Sequence, residues 1–166
     1  PVLFDDPEAD YWFWDYMVAG NPSLETKSFV FWADGALGPG QLAVNLLGLT
    51  SSGIMGEHRA QVHLNGTFIG DTHWTGSTAY TAVFSIPNGV LLYGDNTATV
   101  TAVLDAGIPQ SLFAVDSFDL TYERAYRAYG DQLLLLGDGN PDVTVDGFSS
   151  KNIWVLDLAD PQHPSL

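Results

Sequence analysis

Four aromatic side chains could do recognition chemistry, because a flat ring can stack on the C–H face of a sugar. Trp74 follows a hairpin, and Tyr93 stands beside Gly94; both are positions where a ring can stay exposed. Trp12 and Trp14 belong to an aromatic run near the start of the chain. Neighbouring strand residues point to opposite faces, so at least half of that run should pack inward. All four are candidate ligand-binding residues, with packing in the core as the alternative role.

The acidic residue Asp116 is a candidate of a different kind. In a regular strand over residues 111–122, Asp116 is in phase with Ala114 and Phe118 and would point inward. A buried carboxylate is costly unless it is paired, hydrogen-bonded or bound to a metal. Calcium, which takes about six to eight oxygen ligands, would be a suitable metal. The alternatives are a β-bulge that turns Asp116 outward and a hydrogen-bonded position at a turn.

Short strands separated by turns are the elements that would position these residues. Asn65-Gly66 predicts a type I′ hairpin turn, because both central residues of that turn need positive φ. We expect residues 1–23 to be irregular and residues 38–40 to interrupt the chain between strands. Strands at this spacing predict an all-β fold, an antiparallel β-sandwich of jelly-roll type over residues 1–125. Apolar and polar residues alternate in residues 26–33, 41–49, 58–64, 80–86, 97–104 and 111–122.

Residues 126–166 differ in character from the segment before them. Three apolar stretches, residues 131–136, 143–145 and 153–158, are predicted as short strands of a small C-terminal β appendage. Such a piece is too small to bury a core of its own. We therefore expect it to lean on the sandwich or to lead toward a missing downstream domain.

Charge and cysteine content exclude several functions. The chain has 20 acidic and five basic residues, for a net charge of −15. Without a basic stripe it should not follow a phosphate backbone, and an anionic membrane surface would repel it, so we expect neither nucleic acid nor membrane as a partner. The chain has no cysteine, which removes thiol catalysis. We expect no enzymatic activity, and a hydrolase built on two carboxylates is the weakest alternative, since it carries no sequence signature.

Several segments together resemble the region ahead of the catalytic domain in bacterial gingipain-type cysteine peptidases. They read WDYMVAG, HRAQVHLNGTFIGDTHW, VDSFDLTY and, in the tail, VTVDGFSS followed by IWVLDLADP. The sandwich also resembles galactose-binding-like jelly rolls and carbohydrate-binding modules. The resemblance implies a non-catalytic accessory module of a larger, secreted bacterial peptidase, whose catalytic Cys has no counterpart here. No signal peptide is visible from Pro1 onward, so we expect either a mature piece or an excised piece of that protein.

The resemblance also implies a ligand and a metal. In carbohydrate-binding jelly rolls, an aspartate of the last strand and acids near the first strand often hold a structural calcium. By this resemblance Asp116 with Asp5, Asp6 and Glu8 is the predicted calcium site, in a module that binds carbohydrate. The alternative is a structural or interaction domain that packs on the peptidase with no ligand of its own. A largely apolar exposed patch near residues 131–158 would favour that alternative.

Overall fold

The part of the chain that the structure describes folds mainly as two antiparallel sheets. The structure is a computed structural model, and it describes residues 12–34, 36–136, 139, 141–160, 162, 163 and 165. Among these residues, no helix is long and apolar enough to cross a membrane. The described residues form eight strands: β1 (Asp15–Val18), β2 (Thr26–Ala33), β3 (Ala36–Gly48), β4 (His58–Leu64), β5 (Thr67–Trp74), β6 (Ala79–Ile86), β7 (Gly94–Ala102) and β8 (Leu112–Arg124).

The strands are ordered as in an eight-stranded jelly roll. One sheet, here called sheet A, has the order β1-β8-β3-β6, and the other, sheet B, has the order β2-β7-β4-β5. Neighbouring strands are antiparallel in both sheets. This order is that of two interlocked Greek keys. The predicted antiparallel β-sandwich is confirmed.

The core lies between the two sheets and follows the alternation of the sequence. In β4, Ala60, Val62 and Leu64 are fully buried, whereas Gln61 and His63 between them are partly exposed. The strands β2, β6 and β7 show the same period of two. Each strand thus gives one face to the core and one face to solvent, as the pleat of a strand requires.

The β4–β5 hairpin has the turn that its sequence predicts. Asn65 has φ 50° and Gly66 has φ 80°. Leu64 and Thr67 are register partners on either side of these two residues. The predicted two-residue turn with positive φ is confirmed.

Three details of the strand prediction are wrong. The segment expected to be irregular contains β1, whose Met17 is fully buried opposite Phe113. The segment expected to interrupt the chain, residues 38–40, lies inside β3, because a β-bulge between Ala36 and Gly40 absorbs the local irregularity of the pairing with β8. The alternating segment predicted over residues 97–104 puts Leu104 in phase with the inward Ala102, but Leu104 lies beyond the end of β7 and is exposed.

The chain divides into two compact units, Pro1–Arg124 and Ala125–Leu166. The expected strands of the second unit are absent from its described residues. Backbone pairing there is limited to isolated bridges, such as Arg127 with Asp146. The side chains of Leu134 and Trp154 are 75% and 80% exposed. Without a buried face to pack, these apolar segments do not form a sheet of their own.

Candidate functional site

Trp74 is a core residue and not an exposed platform. It is the last residue of β5 rather than part of a loop, and it is 5% exposed. Its ring stacks on Tyr80, with the centroids 5.3 Å apart, and contacts His58 and Phe113 at 4.9 Å. The alternation of β5 turns Trp74 inward, so Trp74 packs in the core and does not present its ring to a ligand.

Trp14 lies at the edge of the core, and Trp12 lies on the surface. The Trp14 ring is 5.6 Å from Phe29 and 5.4 Å from Phe118, although about half of its surface is exposed. Trp12 precedes β1 and is strongly exposed. Trp14 therefore helps to close the sandwich between β1 and β2, whereas Trp12 remains accessible to a ligand.

Tyr93 is exposed and belongs to an aromatic pair. It is 66% exposed, and its ring centroid lies 5.5 Å from that of Trp32 at an interplanar angle of 72°. Trp32 is 56% exposed and also lies over Gly94, where a Cβ would come within 3.7 Å of the indole. Trp32 is not among the ligand-binding residues predicted from the sequence. The signal was present, because the alternation of β2 sets Trp32 on the face opposite to Phe29.

Two asparagines hold the loop that carries Tyr93. Asn96 is fully buried; its Nδ2 donates to the carbonyls of Leu92 and Gly94, both at 2.9 Å. Its Oδ1 accepts from the Leu92 amide at 2.8 Å and from Asn65 Nδ2 at 2.7 Å. Asn65 also donates to the carbonyl of Val90 at 2.8 Å. The loop over residues 90–93 and the start of β7 are therefore bound to the hairpin turn by partly buried hydrogen bonds.

An exposed carboxylate stands beside the aromatic pair. Asp95 is the register partner of Trp32 and is exposed, whereas its neighbour Asn96 points into the core. We call Trp32, Tyr93 and Asp95 together the Trp32–Tyr93 corner. Two mutually tilted rings offer apolar surface, and the carboxylate accepts hydrogen bonds from hydroxyl groups. Such a combination can hold a polar molecule that also has an apolar face.

A cluster of charged residues lies on the same side of sheet B, away from this corner. Arg59 donates to Asp71 from Nε at 3.0 Å and to Asp105 from Nη1 at 2.8 Å. His73 Nε2 lies 3.1 Å from Asp105, and Gln61 Nε2 lies 3.1 Å from Asp71. The hydrogen bonds from Arg59 hold the pKa of both carboxyls below its ordinary value. The charge of Arg59 is therefore neutralised within the cluster.

A histidine–serine pair is present but is not accessible. His58 Nδ1 lies 2.9 Å from Ser111 Oγ, and His58 Nε2 lies 3.0 Å from the Thr50 carbonyl. Both His58 and Ser111 are buried in the interior of the domain. The neighbouring Glu57 is also buried; burial raises its pKa, but hydrogen bonds from Ser52 and Gly76 together lower the pKa below its ordinary value. The side chains of Glu57, His58 and Ser111 are all buried, so the pair is not exposed at the surface of the domain.

Asp116 is the extra residue of a β-bulge. Asn45 pairs with Ser117 and Leu46 pairs with Val115, so Asp116 has no partner in β3. Apolar residues face the core on both sides of the bulge, with a shift of one residue in their phase. Asp116 is partly exposed, so the predicted inward position is wrong and the bulge is the arrangement found.

The described residues do not contain the predicted calcium site. Asp5, Asp6 and Glu8 lie outside the described residues. Within the described part of the chain, no group of three or more His, Asp or Glu side chains could hold a metal ion. One described carboxylate, Asp116, does not make a calcium site by itself.

Comparison with known proteins places this fold among all-β domains. Residues 26–106 match the family model of the beta-galactosidase second all-beta domain. Among solved structures, PorU from Porphyromonas gingivalis matches with a TM-score of 0.50 at 11% identity, over 70% of this chain and 13% of that chain. The chain thus spans a small fraction of PorU. No curated protein matches the chain.

Two smaller solved domains match with lower TM-scores. A CBM36 carbohydrate-binding module, solved in complex with calcium and xylotriose, has a TM-score of 0.43 at 15% identity, over 64% of this chain and 78% of that one. The C-terminal domain of EclA, a sugar-binding protein, has a TM-score of 0.44 at 11% identity, over 73% of this chain and 86% of that one.

Proposed function

We propose that this domain is a non-catalytic module that binds neutral carbohydrate at the Trp32–Tyr93 corner. The observation that carries the proposal is the exposed aromatic pair, with its rings 5.5 Å apart, beside the exposed carboxylate of Asp95. The rings provide apolar surface for the C–H face of a sugar, and Asp95 accepts hydrogen bonds from its hydroxyl groups. The match of residues 26–106 to a domain of beta-galactosidase supports a role beside sugar chemistry.

The support beneath the corner favours binding. Asn96 makes its hydrogen bonds to the loop entirely within the protein, and Trp32 projects from β2, an edge strand of sheet B that pairs with β7 over its whole length. A ligand would therefore meet rings that are already in place. Binding to a preorganised site loses less conformational entropy than binding to a mobile loop.

Charge sets the class of sugar. The chain has a net charge of −15, and the corner itself contains Asp95. An anionic sugar would be repelled by both, because like charges brought together at a binding surface cost free energy. The proposal is therefore for neutral glycans.

A glycan array followed by titration calorimetry tests the proposal. We expect wild-type protein to bind a neutral glycan, and Trp32→Ala and Tyr93→Ala each to lower the affinity by about tenfold, which corresponds to the loss of one aromatic contact. Tyr16→Ala is the matched control, because Tyr16 is a half-exposed aromatic on β1 of the other sheet. A flat array, or equal losses in all three variants, would contradict the proposal.

We further propose that the module belongs to a secreted, gingipain-like cysteine peptidase of a bacterium. The four segments that resemble that family support this, and so does the likeness of the fold to PorU. The test is the sequence of the complete gene. A reading frame that continues into a domain with a catalytic Cys and His is expected, and a frame without one would refute the proposal.

A structural calcium is a further part of the proposal, with Asp116, Asp5, Asp6 and Glu8 as ligands. The support is topological. The amide of Trp14 donates to the carbonyl of Val115 at 2.9 Å, so the chain ahead of β1 approaches β8 next to Asp116. The acidic residues at the start of the chain precede that point of contact.

The exposed apolar side chains of Ala125–Leu166 favour a second candidate function. Leu134, Leu136, Trp154 and Val155 are at least three-quarters exposed. Large exposed apolar patches mark interaction sites, so this unit could pack on the peptidase as a structural or interaction domain with no ligand of its own. Gel filtration of the module with a separately expressed peptidase domain tests this. We expect a complex with wild type that is lost in a Trp154→Ser/Val155→Ser variant.

A further inference from the structure

We propose that Phe68 and His63 form a second sugar subsite, so that the ligand is a linear neutral oligosaccharide lying across the outer face of sheet B. This inference rests on the proposed function and names the class of its ligand. The evidence is the position of two exposed aromatic pairs on the same face of sheet B, which has four strands.

The first observation is a second exposed aromatic pair. Phe68 is 53% exposed, and its ring lies 5.3 Å from the His63 ring at an interplanar angle of 65°. A β-bulge explains this exposure. Val62 pairs with Gly70 and His63 pairs with Phe68, so Ile69 is the extra residue of β5 and packs against the core, while Phe68 faces outward.

The second observation is that both pairs lie on one face. The register partners Ser28, Thr99, His63 and Phe68 form a row across β2, β7, β4 and β5. Trp32 lies four residues beyond Ser28 along β2 and points the same way. Four residues along a strand and three strand spacings across the sheet put Trp32 and Phe68 about 20 Å apart. A single sugar cannot contact both rings, but an oligosaccharide can.

The third observation concerns the surface between the two aromatic pairs. The outward side chains of β7 there are Thr97 and Thr99, which are small and partly exposed. Thr99 Oγ1 lies 3.0 Å from Ser28 Oγ. This floor carries the hydroxyl groups of Ser28, Thr97 and Thr99 together with the exposed side chain of Val30, the register partner of Thr97, and each hydroxyl can donate or accept a hydrogen bond. Such a floor suits the hydroxyl groups of a sugar chain.

The charges of this face exclude a uronate chain. Arg59, the arginine on the outer face of β4, has its guanidinium bound by Asp71 and Asp105. Asp95 is exposed at the other end. An anionic polysaccharide would meet carboxylates at both ends, whereas a neutral chain meets only hydrogen-bonding groups.

Titration calorimetry with neutral linear cello-, xylo- and galacto-oligosaccharides of two to six sugars tests the second subsite. For the series that binds, we expect wild-type affinity to rise by about tenfold from disaccharide to hexasaccharide, as one added aromatic contact would give. Phe68→Ala should remove most of that rise and leave disaccharide affinity within about twofold of wild type, since the other subsite is intact. Trp32→Ala should lower the affinity for both the disaccharide and the hexasaccharide.

Controls separate this inference from the proposed function. Phe68→Leu keeps an apolar side chain beside His63 and should lose the same chain-length dependence, which excludes an effect of misfolding. Affinity that does not depend on chain length, or equal loss for both ligands in Phe68→Ala, overturns the second subsite and leaves the Trp32–Tyr93 corner standing. Absence of binding to every oligosaccharide in these series, together with a flat glycan array, overturns both.

Discussion

Asn65 Nδ2 donates a hydrogen bond of 2.7 Å to Asn96 Oδ1, and this contact joins two turns that are far apart in the sequence. Asn65 is the first residue of the β4–β5 turn, and Asn96 follows the loop that presents Tyr93. Asn65 Oδ1 in turn accepts from the amide of Thr97 at 2.8 Å. The position of the exposed Tyr93 thus depends on side-chain amides buried below it.

Replacing Asn96 by alanine should destabilise the domain. The change leaves the Leu92 amide and two loop carbonyls without their partner and removes one of the two hydrogen bonds that Asn65 Nδ2 donates. Unpaired buried polar groups of this kind lower the free energy of unfolding by about 1–3 kcal/mol. Urea unfolding measures the change. Asn88→Ala, at an exposed turn position, is the control and should leave the midpoint unchanged. An Asn96→Ala variant as stable as wild type would show that these bonds do not hold the loop.

Gly70 should not tolerate a side chain. A Cβ at Gly70 would lie well inside van der Waals contact of the Phe84 ring. We expect Gly70→Ala to lower the free energy of unfolding by about 1–3 kcal/mol, because overpacking forces neighbouring side chains off their preferred rotamers. Gly38→Ala is the matched control, since that strand position has open space around it and an ordinary φ. Equal midpoints for the two variants in urea would contradict the close approach.

The stability of the domain should fall as the pH drops below about 6.5, and His58 should be one cause. Burial lowers the pKa of His58 below its ordinary value of 6.5, although the Thr50 carbonyl and Glu57 oppose this effect. The unfolded chain therefore takes up the His58 proton at a higher pH than the folded chain does. Neutral His58 stabilises the fold fully above about pH 6.5, and this stabilisation is lost as the pH falls below that value. Urea unfolding at pH 7.5 and 5.0 should show a smaller loss for His58→Gln than for wild type. His63→Gln, a partly exposed control, should keep the wild-type loss; the same loss in His58→Gln as in wild type would count against this origin.

Removal of calcium should lower the melting temperature if the proposed calcium is structural. A ligand that binds only the native state raises the free energy of unfolding, and a chelator withdraws that contribution. Thermal melts with EDTA and with added calcium chloride measure the difference. Asp116→Asn should melt like EDTA-treated wild type and should not respond to calcium. Identical melts for wild type in both buffers would remove calcium from the proposal.

The regular strands were predictable because their residues alternate with a period of two. Ala60, Val62 and Leu64 are buried as the pattern of β4 indicates, and the positive φ of Gly66 follows from the turn sequence. The strand β1 was not predictable in this way. It has four residues, and it forms because Met17 pairs with Phe113 nearly a hundred residues later, a contact that no local pattern contains.

The candidate site was predictable only in part, because bulges change which way a side chain points. Asp116 follows the apolar phase of its own strand, and only the pairing of Asn45 and Leu46 with β8 shows that it is an extra residue. Tyr93 is predicted to be exposed from its neighbouring glycine and is exposed, whereas Trp74 is predicted to be exposed after the hairpin and is buried. Trp32 could have been found, since an outward tryptophan on an amphipathic strand has no core role to explain it.

The amide of Asn65 has a consequence for how the protein is produced. Asn65-Gly66-Thr67 is an acceptor sequence for N-glycosylation. An oligosaccharide attached to Nδ2 would replace one of its two hydrogens, so Nδ2 could no longer donate to both the Val90 carbonyl and Asn96, and the sugar would stand between the turn and its loop. A eukaryotic secretion host that glycosylates the nascent chain would therefore hinder its folding. A bacterial host, or a Thr67→Val variant, would leave Asn65 unmodified.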